Sequence, residues 1–396
     1  MFWHKASHLL RNAAQRNRHC FLSSKANSEF ITYLKNRIKI AGPISVAAYM
    51  KEALTNPKWG YYMKKDVFGK SGDFITSPEI SQMFGEMLGI WLLNEWLQAK
   101  QPQNVKLVEL GPGRGTLMAD ILRVFRQFKV GRDALSVHLV EVSEKMRQMQ
   151  RKLLCGIHES NKNFENATSK YNDVEVHWYS NIKDVPTGFT MYIAHEFFDA
   201  LPIHVFKRTT NGWREVLVDA DNAGLQLVVS PAANPLSELL IPKEAVIDEY
   251  EVCPTAGVTI EHMCGVIQTH GGSSLVVDYG KDGPSRNSLR SFKEHKLIED
   301  IFKYPGDADI TANVDFAFLK RMCHNKVQLF GPVTQSMFLK AMGIEARFKV
   351  LMQNANEKQA KNLKSAFDYL VSEDKMGEKF KVFAFSQDGS ARPAGF

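Results

Sequence analysis

The chain has 396 residues, of which 44% are hydrophobic and 23% charged, a composition typical of globular proteins with one large domain or two. Its five cysteines form no C-x-x-C pair and no stretch of 18 apolar residues occurs, so a disulfide framework, a zinc site and a transmembrane segment are not indicated. The formal net charge of +7 includes five lysines and arginines within residues 1–28. The remaining +2, without an interleaved basic and aromatic run, argues against a nucleic-acid substrate.

Residues 1–28 are predicted to be a mitochondrial transit peptide. The segment carries five basic residues and no acid, is dotted with serine, and places Phe2, Leu9 and Ala13 at roughly helical spacing. A secretory signal would need a continuous apolar region, which this segment lacks. The alternative is a disordered basic tail without a targeting role.

Residues 29–100 are predicted to form an N-terminal helical and lid region. Glu29–Tyr49 has the apolar spacing of a helix, and Ser77-Pro78-Glu79 supplies the N-cap, the proline and the first-turn acid that begin another. Between them lies a stretch rich in proline, glycine and tyrosine, which is typical of a functional loop. Its segment SGDF contains Asp73 and Phe74, which we expect to close over a substrate.

From Val105 onward the sequence alternates strand and helix patterns. The predicted strands are 105–110, 136–142, 174–180, 189–195 and 273–279, and the predicted helices are 115–127, 143–155 and 258–269. Such alternation predicts an α/β fold with a doubly wound parallel sheet.

Residues 204–257 interrupt the alternation and are predicted to be a β-rich insertion, with a hairpin turn at Asn211-Gly212. The insertion divides the α/β core into a first part, residues 101–203, and a second part, residues 258–396. The second part is predicted to contain a helix at 313–324, a strand at 326–330, a helix at 332–342 and a final strand in KFKVFAFSQ.

A glycine-rich turn follows the first core strand. Gly111, Gly113 and Gly115 are spaced as G-x-G-x-G with Thr116 next, so the G-x-G-x-x-G fingerprint of dinucleotide-binding folds is not met. Glu109 stands two residues before the first glycine, where its charge would repel a pyrophosphate and attract the ammonium and sulfonium groups of S-adenosylmethionine. These residues are therefore predicted to bind S-adenosylmethionine.

Glu141 ends the second core strand in the segment SVHLVEVSEKM. Rossmann-like folds place a carboxylate at about this distance downstream, where it accepts hydrogen bonds from both ribose hydroxyls of a nucleoside. The alternative is that Glu141 only caps the helix that begins in Val142-Ser143-Glu144. Taken with Glu109 and the glycines, the spacing favours the ribose role.

Several long segments resemble the MidA family of S-adenosylmethionine-dependent methyltransferases, and in particular its mitochondrial members. They are GDFITSPEISQMFGE, LVELGPGRGTLMADILR, HLVEVS, YIAHEFFDALPIHVF, VVDYG and DITANVDF. The resemblance covers roughly residues 30–385. It implies a Rossmann-like seven-strand methyltransferase sheet, a mitochondrial matrix location, and symmetric dimethylation of an arginine in an iron–sulfur subunit of respiratory complex I during assembly of that complex.

The fourth core strand ends in AHEFFDALP, which places His195, Glu196 and Asp199 beside the expected methyl group. An arginine acceptor stays protonated at ordinary pH, so carboxylates are needed to orient its guanidinium and to remove a proton. Glu196 and Asp199 are the candidates for this role. His195 is either a catalytic residue or a strand-end residue bonded to backbone.

Three functions remain open from the sequence. The first is an active protein arginine methyltransferase with a complex I subunit as its substrate. The second is a methyltransferase of another substrate class with His195 as general base. The third is an assembly chaperone that binds S-adenosylmethionine without catalysis.

Overall fold

The computed structural model describes residues 27–64, 76–131, 133–157 and 166–396. Nearly all of the predicted transit peptide lies outside these residues, and so do the predicted lid residues Asp73 and Phe74. Within the described ranges, no helix is both long and apolar enough to cross a membrane.

The helices of the described residues are, in chain order, α1 (residues 27–41), α2 (Val46–Thr55), α3 (Tyr61–Lys64), α4 (Ser77–Ile80), α5 (Gln82–Gln98), α6 (Thr116–Gln127), α7 (Glu144–Gln150), α8 (Pro235–Leu240), α9 (Pro254–His270), α10 (Phe316–Met322), α11 (Gln335–Ala341), α12 (Ile344–Gln353), α13 (Glu357–Val371) and α14 (Met376–Lys379). A π-helical turn, Arg151–Cys155, extends α7.

The strands are β1 (Ile44–Ser45), β2 (Val105–Leu110), β3 (Leu135–Val140), β4 (Asn166–Thr168), β5 (Glu175–Tyr179), β6 (Thr190–His195), β7 (His204–Thr209), β8 (Gly212–Ala220), β9 (Leu225–Val229), β10 (Glu249–Val252), β11 (Gly272–Lys281), β12 (Arg290–Lys293), β13 (Lys296–Ile298), β14 (Asp309–Thr311), β15 (Val314–Asp315), β16 (Gln328–Thr334) and β17 (Phe380–Ser386).

The chain divides into two compact units, each assembled from three segments. The first contains the described residues of 1–65, 202–252 and 289–310, and the second contains those of 66–201, 253–288 and 311–396. The division into five parts that the sequence predicted follows the order of the chain, and it stays a prediction.

The second unit contains the predicted seven-strand sheet. Its strands lie in the order β5-β3-β2-β6-β11-β17-β16, parallel from β5 to β11, with β17 antiparallel to both of its neighbours. Two short strands are added to it: β4 extends the edge beside β5, and β15 pairs with the end of β11. The fold class predicted from the alternating pattern is therefore confirmed.

Successive residues of a strand point to opposite faces of a sheet. The apolar side chains of these strands therefore lie on both faces, and helices cover each face. Leu107 of β2, Leu139 of β3 and Ile193 of β6 belong to the main hydrophobic core with residues of α5 and α6. On the opposite face, α9 packs on β6 and β11 and buries Ile260 and Ile267. This packing leaves the carboxyl ends of the parallel strands as the edge available to a ligand.

The first unit is built around a sheet in the order β1-β8-β7-β10, with β9 paired to β8. The hairpin of β7 and β8 lies within the predicted insertion, but its turn residues are Thr210 and Asn211, because Gly212 already pairs with Thr209. A second, smaller sheet joins β12, β13 and β14.

Three parts of the predicted secondary structure were wrong. The N-cap predicted at Ser77 is Thr76, and the helix that begins there ends at Ile80, before α5. The single helix predicted for Glu29–Tyr49 is interrupted after residue 41 by Gly42-Pro43 and by β1, and α2 begins only at Val46. Proline disfavours a helical conformation at the residue before it, which explains the break. The amphipathic helices α12 and α13 were not predicted from the C-terminal sequence.

Candidate functional site

A cleft of about 400 Å³ lies at the carboxyl ends of β2 and β6 in the second unit. The chain runs from β2 to β3 on one side and reaches β6 on the other, so the cleft lies where the strand order reverses, as ligand sites of doubly wound sheets do. The lining residues are Thr76, Pro78, Glu79, Glu109, Gly111, Pro112, Gly113, Arg114, Thr116, Leu117, His195 and Glu196.

The turn after β2 has the backbone conformation that its glycines predict. Gly111, Gly113 and Gly115 have φ angles of +63°, +51° and +86°. A Cβ atom at Gly111 would lie 2.9 Å from Cδ2 of Phe197, closer than such contacts allow. Gly115 is the N-cap of α6 and has no side chain with which to bond its first N–H groups. The turn therefore combines close backbone approach with uncapped donors, which suits a ligand.

Glu109 is a buried carboxylate in the wall of the cleft. Glu109 is only 3% exposed, and its Oε2 atom has no hydrogen-bond partner among the described residues. Burial, reinforced by the charge of Glu141, raises the pKa of Glu109 to about 8. A buried carboxylate without a partner is unfavourable, so a cation in the cleft would stabilise its ionised form.

Glu141 follows β3 and does not line the cleft itself. Its Oε1 accepts the backbone N–H of Ser143 at 2.8 Å, and burial raises its pKa to about 7. The amide of Gln150 donates to the carbonyl oxygen of Gly113 at 2.6 Å and lies 3.4 Å from Oε2 of Glu141. Gln150 thus links Glu141 to the glycine turn, while the ribose role of Glu141 stays a prediction.

Two polar residues that the sequence analysis did not assign to the site also belong here. Gln150 is fully buried, and its Oε1 accepts the indole N–H of Trp178 at 2.9 Å. Glu79, which the sequence marked only as a first-turn acid, accepts a hydrogen bond from the hydroxyl of Thr116 at 2.5 Å and lies 3.4 Å from a guanidinium nitrogen of Arg114. These contacts join residues 28, 37 and 35 positions apart, so no local pattern indicates them.

His195 ends β6, and Glu196 follows it in the wall of the cleft. Burial lowers the pKa of His195 to about 3, so the ring is neutral near pH 7. Its Nε2 lies 3.4 Å from Oε1 of Glu196 and makes no hydrogen bond within the described chain. Glu196 has a φ of +50°, which costs a residue with a Cβ atom about 1–2 kcal/mol. Its Oε1 accepts the N–H of Ser77 at 3.5 Å.

Asp199 does not line the cleft. It is half-buried, its backbone carbonyl accepts the N–H of Ala312 at 2.9 Å, and its charge raises the pKa of the buried Asp278. Of the three residues predicted after the fourth strand, the structure therefore brings His195 and Glu196 together in the cleft and places Asp199 beside Asp278.

The residues present fit S-adenosylmethionine. The Oε2 atom of Glu109, which has no partner among the described residues, can face a positive charge, and the glycine turn has no side chains to keep a ligand from its backbone. Across the described ranges, no group of three or more His, Cys, Asp and Glu side chains is arranged to hold a metal ion.

Comparison with known proteins agrees with this assignment. A family model described as "Putative S-adenosyl-L-methionine-dependent methyltransferase" matches residues 87–333, more than half of the chain. Over 371 residues the chain is 47% identical to "Protein arginine methyltransferase NDUFAF7, mitochondrial" of Danio rerio, covering 91% of this chain and 88% of the relative. The protein of the same name from Homo sapiens is 46% identical over 366 residues, covering 89% and 82%.

Solved structures show the same fold. A COG1565 superfamily member from Burkholderia thailandensis, crystallised with S-adenosyl-homocysteine, superposes with a TM-score of 0.79 and 24% identity, covering 94% of this chain and 95% of that one. A native crystal structure of a COG1565 superfamily protein from the same organism gives a TM-score of 0.76 and 25% identity with the same coverage.

Proposed function

This chain belongs to the family of S-adenosylmethionine-dependent methyltransferases, and from that premise we propose that it methylates an arginine side chain of a protein in mitochondria. Relatives of 46% and 47% identity carry the name of a mitochondrial protein arginine methyltransferase. The observation that carries the proposal is the carboxylate of Glu196 in the cleft, next to the neutral His195 and across from the glycine turn. A carboxylate there suits a guanidinium acceptor.

S-adenosylmethionine, when bound, supplies a methyl carbon made electrophilic by its sulfonium group. Gly111, Gly113 and Gly115 would let the backbone approach the cofactor, and Glu109 would face its positive charge. Glu141 would accept hydrogen bonds from the ribose, with Gln150 holding both Glu141 and the turn in place.

On the acceptor side, Glu196 would bind a guanidinium N–H and take up the proton that leaves the nitrogen as the N–C bond forms. The S–C bond to the methyl group would break in the same step, leaving S-adenosylhomocysteine. His195 is a weak base at a pKa of about 3, but its neutral Nε2 can accept a hydrogen bond from the acceptor. Asp199 would add negative charge near the guanidinium. Alignment of the reacting atoms by these residues can contribute about 7–11 kcal/mol.

We propose further that the acceptor is an arginine of an iron–sulfur subunit of respiratory complex I, that the product is the symmetric dimethylarginine, and that the reaction serves complex I assembly in the matrix. The support for these details is the resemblance of the segments quoted above to the MidA family.

The second candidate is a methyltransferase of another substrate class with His195 as general base. The observation in its favour is His195, which lines the cleft and whose buried Nε2 atom makes no hydrogen bond among the described residues. The low pKa of the ring speaks against it, because a general base works best when its pKa lies near the working pH.

The test is methyl transfer from radiolabelled S-adenosylmethionine by the purified protein in a mitochondrial extract, followed by mass spectrometry of the labelled molecule. We expect a labelled protein with methylated arginine. The rate should be about 10²–10⁴ times lower for Glu196→Gln, because glutamine keeps the shape of the side chain but cannot accept the proton. Calorimetric titration should show that Glu196→Gln still binds S-adenosylmethionine.

Other results would reject the proposal. If His195→Gln alone is inactive, or if the label appears in a small molecule, the second candidate replaces the first. If Gly113→Val, which should not bind the cofactor, still supports complex I assembly in cells, the protein acts as a chaperone without catalysis.

A further inference from the structure

We infer that Asp278 is a positioning residue for methyl transfer: its buried carboxylate holds the backbone that follows Glu196 and so sets the position of the Glu196 side chain in the cleft. No role was expected for Asp278 from its place in the segment VVDYG. The inference rests on the proposed acceptor role of Glu196.

Asp278 lies at the carboxyl end of β11, the strand next to β6. The pairing of the two strands ends at Val277 opposite His195, and the N–H of Glu196 donates to the carbonyl oxygen of Val277 at 3.0 Å. Asp278 is therefore the first residue of β11 beyond this pairing, where the chain of β6 turns away from the sheet.

The carboxylate of Asp278 is occupied by backbone donors. Its Oδ2 accepts the N–H groups of Phe197 and Phe198 at 3.2 and 2.9 Å, and its Oδ1 accepts the N–H of Tyr279 at 2.8 Å. The residue is 0% exposed and does not line the cleft. Its side chain therefore acts on the protein backbone and does not reach a ligand directly.

The backbone that Asp278 holds is an unfavourable one. Glu196 has a φ of +50°, which a residue with a Cβ atom adopts only when its surroundings enforce it. Two successive N–H groups that converge on one anion after such a residue form a backbone nest. Here the acceptor is Oδ2 of the chain's own carboxyl group, so the turn is held in one conformation before any substrate binds.

The same two hydrogen bonds also position Phe197. Its Cδ2 atom lies where a Cβ atom at Gly111 would come within 2.9 Å. Asp278 therefore fixes, through adjacent residues, both the carboxylate on the acceptor side of the cleft and an aromatic ring against the glycine turn. Burial and the charges of Asp199 and Glu196 raise the pKa of Asp278, and the three N–H donors oppose that effect.

The experiment is a double-mutant cycle in methyl transfer with the full chain, using radiolabelled S-adenosylmethionine and the mitochondrial extract. Asp278→Asn keeps the side-chain shape but sets an amide N–H against a backbone donor, either those of Phe197 and Phe198 or that of Tyr279. A small displacement of Glu196 should then lower the rate at saturating cofactor by up to about 10²-fold. If Asp278 acts through Glu196, the double variant Glu196→Gln/Asp278→Asn should be no slower than Glu196→Gln alone.

Asp315→Asn is the matched control. Asp315 lies on β15, which pairs with β11, and its Oδ1 accepts the N–H of Phe318 at 2.9 Å as the N-cap of α10, away from the cleft. Asparagine caps a helix about as well as aspartate, so this variant should fold and keep the rate per folded molecule of the wild type.

The outcomes separate this inference from the proposed function. Full activity of Glu196→Gln would reject the role of Glu196 itself. An inactive Glu196→Gln together with a fully active Asp278→Asn, or rate losses that multiply in the double variant, would overturn the inference about Asp278.

A second variant covers the case in which Asp278→Asn does not fold. Asp278→Ser leaves room for a water molecule to meet the N–H groups of Phe197 and Phe198. The same cycle with this variant should give the same lack of additivity. If neither variant yields folded protein that binds S-adenosylmethionine, Asp278 is a folding determinant and not a positioning residue, and the inference fails.

Discussion

Among single residues, two glycines of the second unit allow the effect of backbone strain on cofactor binding to be distinguished from the effect of a steric contact. Gly111 and Gly156 both lie in the same unit with φ angles of +63° and +73°, but a Cβ atom would meet Phe197 at Gly111 and nothing within 4 Å at Gly156. Replacing either by alanine should cost about 1–2 kcal/mol of stability.

Only Gly111→Ala should also weaken cofactor binding, because Phe197 or the turn must move to admit the methyl group. Calorimetric titration with S-adenosylmethionine measures the affinity, and thermal denaturation measures the stability. An equal loss of affinity in Gly156→Ala would show that strain, and not the contact with Phe197, governs binding.

The raised pKa of Glu109 predicts how stability depends on pH. In the ligand-free protein the carboxyl group keeps its proton up to about pH 8, whereas the unfolded chain releases it near pH 4.5. The free energy of unfolding should therefore fall as the pH rises from about 4.5 to about 8, since the unfolded state binds fewer protons there. At about 1.4 kcal/mol per pKa unit, the effect amounts to a few kcal/mol.

Glu109→Gln should remove this dependence and raise the melting temperature at pH 8.5 much more than at pH 5, while it weakens binding of S-adenosylmethionine. Thermal denaturation of the ligand-free variant and wild type at both pH values is the measurement. Glu373→Gln, a change at an exposed position, serves as control and should follow wild type at both. A constant difference between Glu109→Gln and wild type would contradict the prediction.

Among the helices, the packing of α5 against α6 depends on small residues of α5, of which Gly85 makes the closest approach. A Cβ atom at Gly85 of α5 would lie 2.4 Å from Cβ of Asp120 on α6, whereas at Gly265 of α9 it would meet nothing within 4 Å. Alanine favours a helix interior over glycine by about 1 kcal/mol, but overpacking costs about 1–3 kcal/mol. Replacing Gly85 and Gly265 by alanine should therefore change the stability of the protein in opposite directions.

Gly265→Ala should raise the melting temperature, and Gly85→Ala should lower it. Denaturation monitored by circular dichroism at 222 nm checks both. If Gly85→Ala is also stabilising, the two helices can separate without cost, and the close approach of α5 and α6 is not a requirement of the core.

At the scale of the whole molecule, the basic N-terminal segment should act as an address. Deleting residues 2–28 removes five positive charges, and a reporter fused to the shortened protein should stay in the cytosol. Fluorescence microscopy and cell fractionation measure the location. The leader alone should carry a reporter into mitochondria, and import of the shortened protein would contradict the prediction.

Sequence patterns alone predicted those parts of the protein that depend on neighbouring residues. Strand and helix periodicity predicted the α/β fold, because burial of one face repeats every second residue in a strand and about every 3.6 residues in a helix. The glycines after β2 and the acid at Glu109 indicated S-adenosylmethionine, since backbone conformation and charge at a strand end are local properties. Family and cofactor were confirmed.

Which distant residues meet could not be predicted from the sequence, because it depends on the packing of whole elements. Gln150 contacts Gly113, Glu79 contacts Thr116, and Asp278 holds a turn 80 residues earlier in the chain. The first unit likewise gathers segments from three separate regions. Such contacts depend on how strands and helices pack, and a polar residue that bonds to the backbone of another element leaves no periodic signal in its own sequence. The distinction between Glu196 in the cleft and Asp199 beside Asp278 therefore required coordinates, although the two residues are only three positions apart.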